Sequence, residues 1–188
     1  MISKPRCFLD LLELQRILDD KVSKPRENGF EPRKRNKQDI LSALDDEFQE
    51  WQKELPYEYN FKTWKQKEYN REKELEEFVD VLFFFLQYVN YEAETDDEII
   101  EDFEKFFYAP VDSGIEISCN LLYWIKYFKG NLWCNNVEEA LYCWILIAYI
   151  RRFDNEIFDT YWKKWQFNMG RQNKDWVIQE WKIKYLFK

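Results

Sequence analysis

The stretch 78–89, Phe-Val-Asp-Val-Leu-Phe-Phe-Phe-Leu-Gln-Tyr-Val, constrains the fold more than any other. Coiled as a helix it is apolar on every side, and such a helix is buried. Asp80 is its only charge. A lone carboxylate there needs a partner, because an unpaired buried charge is very costly. The rest of the chain must wrap this segment and give Asp80 something to hold. Gly and Pro number only 4 and 5, which disfavours sheet-rich folds with many tight turns. The expected fold class is all-α: a helical bundle in a single domain over 1–188.

Helical periodicity organises most of the chain. Leu11, Leu14 and Leu18 share a stripe over 7–22, with Gln15 and Asp19 at its edge. A basic loop with Pro25, Gly29 and Pro32 follows. Over 38–54, Ile40, Leu44, Phe48 and Trp51 form an apolar stripe beside Ala43, Glu47, Glu50 and Glu54. A cationic loop or short broken helix covers 56–71, and a third helix covers 72–91. Thr95 and Glu98 read as the cap of a short helix ending near Phe107. Turns are expected at 109–114 and 130–135, and helices at 116–128, 137–152 and 155–169, the last stopped by Gly170.

Two acidic pairs stand out, Glu47/Glu50 and Glu77/Asp80, each spaced i, i+3. That spacing puts both members on one helix face. Two such helices in contact would gather four carboxylates, which cannot all stay ionised in a dry place without cations. An all-oxygen ligand set suits Mg²⁺, and sites of this kind handle phosphates. Alone, an acidic pair is ordinary surface decoration. Asp80, inside an apolar run, resists that bland reading.

Composition removes alternatives. There is no His, so His-based triads and HExxH zinc sites are excluded, and acid–base chemistry falls to carboxylates. Cys7, Cys119, Cys134 and Cys143 form no CxxC pair and read as free thiols in a reducing cytoplasm. The net charge of −8 argues against non-specific nucleic-acid binding. No apolar run reaches membrane-spanning length, and no signal-peptide pattern opens the chain. Candidate phosphate-binding cations are Lys62, Lys65 and Arg71, and, on one face of the last helix, Lys164 and Arg171 with Asn168 between them. Trp64 sits among the first set as a candidate surface for a nucleobase. The apolar runs 78–89 and 141–150 exceed what one small bundle easily hides and point to a homodimer.

In order and spacing these parts resemble the dimeric, all-α dUTPases, especially the phage-type enzymes, within the wider MazG-like nucleotide pyrophosphatase group. Leu14-Gln15 with Asp19 and Asp20 resembles the first-helix motif that touches the nucleoside. Glu47-Phe-Gln-Glu50-Trp51 resembles the ExxE metal motif, and Phe61-Lys-Thr-Trp-Lys65 the FK-x-WK stretch after it. Glu77-Phe-Val-Asp80 with Phe83-Phe84 resembles the ExxD motif and its aromatic. Lys164, Asn168, Arg171 and Gln172 resemble the late K-x3-N-x2-RQ motif, with Trp176 where Tyr is usual. The resemblance covers 7–91 and 158–176 and leaves 92–150 as a variable helical region. Phe83 stands where relatives often have His, and the first motif lacks the Asn often seen near its Gln.

The resemblance implies a four-helix catalytic core, a homodimer, and hydrolysis of dUTP, with dUDP as a further substrate, to dUMP, which limits uracil incorporation into DNA. It implies Mg²⁺ on Glu47, Glu50, Glu77 and Asp80, with Glu47 or Glu50 handling the attacking water. Gln15, Asp19, Lys62, Trp64, Lys65, Phe84, Lys164, Asn168 and Arg171 are then the substrate contacts. Uracil is expected to be read by the amides of Gln15 and Asn168, with Phe84 excluding a 2′-hydroxyl. The rival readings are a MazG-like pyrophosphatase of other or broader specificity and a non-enzymatic helical interaction protein. Region 92–150 is free to bind a regulatory protein partner.

Overall fold

The computed structural model describes residues 2–60, 62–64, 67–96, 98–109 and 120–171. Phe61, Lys65, Cys119, Gln172 and Trp176, the turn expected beyond residue 109 and the helix start expected at 116 lie outside the described residues. Among those described, the architecture is all-α, with seven helices and no strand: α1 Phe8–Val22, α2 Lys37–Glu54, α3 Arg71–Glu92, α4 Ile99–Phe107, α5 Leu121–Trp133, α6 Val137–Arg151 and α7 Ile157–Arg171.

Local chemistry sets the helix ends that matter for the site. Asn36 and Asp39 form a reciprocal capping box that starts α2, each side chain accepting from the other residue's backbone N–H. Asn70 caps α3 by accepting from the Lys73 N–H. These two caps fix the helices that carry the acidic pairs. Helix α3 is the axis of the molecule, packing on α1, α2, α4 and α7. Phe78, Val79, Val81, Leu82, Phe85, Leu86 and Val89 are buried, as expected for a helix apolar all round.

Helices α4, α5 and α6 cover the remaining side. Helix α6 packs on α4 and α5, and α5 also reaches α2. Trp144 of α6 stacks on Phe78 with ring centroids 4.5 Å apart, and its Nε1 donates to the Phe78 carbonyl at 3.1 Å. Most of the run 141–150 is therefore buried inside this one chain, as is most of 78–89. That removes the expectation that these runs need a second copy to hide them.

Three boundaries differ from the sequence reading. Thr95 does not cap α4: its hydroxyl donates back to the Glu92 carbonyl, while Asp96 accepts from the Glu98 N–H before the helix begins. Gly130 does not turn the chain, because α5 continues until Leu132 is buried, and the reversal comes at Asn135, in the left-handed region with φ 60°. Gly170 does not stop α7, which runs on to Arg171. A helix ends by a glycine only where the backbone turns left-handed, and neither glycine does.

Candidate metal and nucleotide site

Carboxylates on α2 and α3 meet where the two helices pack. Oxygens of Glu47, Glu77 and Asp80 all lie within 4.8 Å of one another. Glu77 and Asp80 sit one turn apart on the α3 face that leaves the core, and Phe84 continues that face. The fourth expected ligand, Glu50, is not in this group. Its side chain is half exposed, 3.6 Å from the Lys53 amine. It stands one turn further along α2, close enough for its charge to be felt by Glu47, Glu77 and Asp80.

The cluster is electrostatically unfinished. Burial, then the charges of Asp80, Glu50 and Glu77, push the Glu47 carboxyl up to about 8. Glu77 and Asp80 are also raised, burial being the largest cause in both and Lys164 opposing it. Lys164 of α7 donates to Asp80 Oδ2 and, at 3.0 Å, to the Glu76 carbonyl. Within the chain it thus steadies Asp80. Arg171 lies near enough for its charge to couple to Asp80 and Glu47. Three carboxylates gathered here, with Lys164 on Asp80, leave negative charge that a hard divalent ion would neutralise, so these residues fit Mg²⁺.

A second polar group lies further along α3. Asp19 Oδ1 accepts from Gln15 Nε2 at 2.8 Å and from Gln87 Nε2 at 2.7 Å. Tyr161 of α7 donates to Gln15 Oε1 at 3.1 Å, and Arg35 donates to Gln87 Oε1 at 2.7 Å. The Arg35 guanidinium also lies 5.4 Å from the Phe84 ring centroid. Tyr161 stacks on Phe83, centroids 4.3 Å apart, so Phe83 serves as packing for the network. Burial raises Asp19 to about 6 against the lowering effects of Gln15, Arg35 and Gln87.

The Gln15 side chain is buried, its Nε2 donating to Asp19 and its Oε1 accepting from Tyr161, so within the chain it holds Asp19. Asn168 is half-buried on α7, one turn from Lys164 and Arg171. Trp64 is 73% exposed. Lys62 lies in the same loop, on a cavity of about 160 Å³ with Lys53, Leu55, Tyr57, Asn60 and Lys67. Arg71 leaves the cationic set: it forms a two-point ion pair with Glu156 and donates to the Arg152 carbonyl at 2.9 Å.

Gln87, Arg35 and Tyr161 were not expected at the site. Gln87 had a signal, since Glu77, Asp80, Phe84 and Gln87 follow one stripe of α3. Arg35 and Tyr161 had none, because loop and α7 positions meet α1 and α3 only through the tertiary fold. Across residues 8–176 the chain matches a family model described as dUTPase. No curated protein matches it.

Proposed function

The chain belongs to the dUTPase family, whose activity is hydrolysis of dUTP, and from that premise we propose how its residues do this and what they require. Glu47, Glu77 and Asp80, with Glu50 at the edge, hold Mg²⁺. When bound there, the ion neutralises the phosphate chain and lowers the pKa of water, so no His is needed. Glu47 or Glu50 orients the attacking water and takes its proton. Lys164 keeps Asp80 in place, and Arg171 pairs with phosphate oxygens. Trp64 and Phe84 pack on base and sugar, Phe84 leaving no room for a 2′-hydroxyl, while Asp19, Asn168, Lys62 and Lys65 complete the contacts. The products are dUMP and pyrophosphate, and dUDP is cleaved at the same site to dUMP and phosphate.

The observation that supports the metal role is the meeting of three carboxylates with Glu47 pushed up to about 8. A cytoplasmic location is part of the proposal, supported by the free cysteines Cys7, Cys134 and Cys143. No described helix is long and apolar enough to cross a membrane. A homodimer is also proposed, and the exposed Tyr123, Tyr127 and Trp133 of α5 supply an apolar face suited to a two-fold contact. The test is release of pyrophosphate from each dNTP, and of phosphate from dUDP, with Mg²⁺ and with a chelator. Turnover of dUTP that persists in the chelator would remove the metal role.

A further inference from the structure

The seam between α2 and α3 changes polarity along its length. On α2 the stripe Glu47, Glu50, Glu54 is acidic throughout. On α3 the facing stripe is Lys73, Glu77, Asp80, at i, i+4, i+7. The two helices run antiparallel, so Glu47 meets Glu77 and Asp80, while Glu54 at the other end meets Lys73. The Lys73 amine lies 3.1 Å from Glu54 Oε1, and Lys67, from the loop before α3, donates to Glu54 Oε2. The Glu54 side chain is only 10% exposed, so two cations answer one nearly buried carboxylate. Burial works to raise the Glu54 carboxyl, yet Lys67 and Lys73 together hold it below its ordinary value, so it stays ionised.

Lys73 has a second carboxylate within reach. It precedes Glu77 by one helical turn, the i, i+4 spacing at which side chains on a helix pair. Its flexible four-carbon stem lets the ammonium turn from Glu54 toward Glu77. Its charge is already felt at Glu77, after burial, Lys164 and Asp80. An ammonium seated on Glu77 neutralises a carboxylate assigned above to Mg²⁺ and repels the ion. We propose that Glu54 is a positioning residue that holds Lys73 off Glu77 and so keeps the acidic cluster open to a divalent cation. The inference rests on the Mg²⁺ reading of the cluster and deepens it.

The other cations around the cluster are placed differently. Lys164 is committed to Asp80 and the Glu76 carbonyl, and Lys53 stands 3.6 Å from the half-exposed Glu50. Lys67 shares Glu54 with Lys73 but comes from the loop, with no helical spacing to Glu77. That makes Lys67 the natural control. Once Glu54 is neutralised, removing either lysine restores the same net charge. Only removing Lys73 takes away the ammonium that can settle on Glu77. A mere through-space effect of the Glu54 charge treats the two lysines alike.

The experiment is calorimetric titration of Mg²⁺ into the chelator-stripped protein at pH 7.5. It compares the native chain, Glu54→Gln, Lys73→Gln, and Glu54→Gln combined with Lys73→Gln or with Lys67→Gln, each checked for helicity by circular dichroism. Glu54→Gln should weaken Mg²⁺ binding by about three- to fivefold, the worth of one partly exposed lysine–carboxylate pair. Adding Lys73→Gln should bring the affinity back to within about twofold of native, and adding Lys67→Gln should not. Lys73→Gln alone should change it by less than about twofold, because the lysine is already held away. Native affinity in Glu54→Gln, effects that simply add across the cycle, or equal rescue by the two lysine variants overturns the role of Glu54 while leaving the metal site intact. If Glu54→Gln fails to fold, Lys73→Gln decides alone: affinity within about twofold of native upholds the held lysine, and tighter binding than that shows it already on the cluster and overturns the proposal. A native chain that binds no Mg²⁺ overturns the metal reading and this inference with it.

Discussion

Two acidic sites lie one turn apart on α3, and they are built to opposite plans. Glu74 is fully buried and completely answered. Arg151 of α6 meets it through two parallel donors, Nε to Oε1 at 2.8 Å and Nη2 to Oε2 at 2.7 Å. Tyr69 adds its hydroxyl at 2.8 Å. Glu77 and Asp80, with Glu47 opposite, are less buried yet left short of positive charge. A carboxylate that serves the fold receives its counter-charge from the chain; one that serves chemistry leaves it to be supplied. Glu47, Glu77 and Asp80 are all raised, burial being the largest cause in each, with Lys164 opposing the rise.

The sharpest way to break that contrast is substitution on each side. Asp80→Asn should reduce dUTP turnover to background while leaving the thermal midpoint near that of the native protein, because the site loses a ligand and the core loses nothing. Turnover at the native rate would make Asp80 a structural residue like Glu74. Arg151→Met should do the reverse. Breaking a buried pair by removing one partner costs about 3–5 kcal/mol, so a chemical denaturation curve should shift by that amount. A shift below about 1 kcal/mol would place Glu74 in the solvated class. A smaller effect is expected at Trp64, which is 73% exposed. Trp64→Ala should leave stability within about 0.5 kcal/mol and weaken dUTP binding by about 1–3 kcal/mol, read as a raised KM.

A further effect is a pH dependence of the metal-free protein. Glu47, at about 8 in the fold against an ordinary 4.5, holds a proton that the unfolded chain gives up. Its stabilising contribution is fully present below 4.5 and is lost as the pH rises through 8. Asp19 adds the same sign between 3.8 and about 6. The thermal midpoint in chelator should therefore fall by a few degrees from pH 5.5 to 8, and Mg²⁺ should restore it at pH 8. A midpoint that rises with pH in chelator would contradict the unfinished cluster.

Much of this was legible in the chain itself. The run around Asp80 announced a buried axis, and i, i+3 spacing selected Glu47, Glu77 and Asp80, because period and spacing are local properties. Glu50 obeys the same spacing but points to the edge of the contact, which depends on how α2 rolls against α3. Glu74 reads as one more charge in a charged first turn until Arg151, far away in sequence, is folded onto it. Gln15 was found, but its partners within the chain were not. Only the donors of Tyr161 and Gln87 around Asp19 reveal which way its amide must face.

The central claim is that Glu47, Glu77 and Asp80 form a site awaiting a divalent cation. Calorimetric titration of Mg²⁺ into the chelator-stripped protein tests it, run at pH 7.5 in two buffers of different ionisation heat. Binding should release protons, because Glu47 must give up the proton it holds near neutrality, and Asp80→Asn should abolish it. Binding without proton release, or binding unchanged in Asp80→Asn, would contradict it.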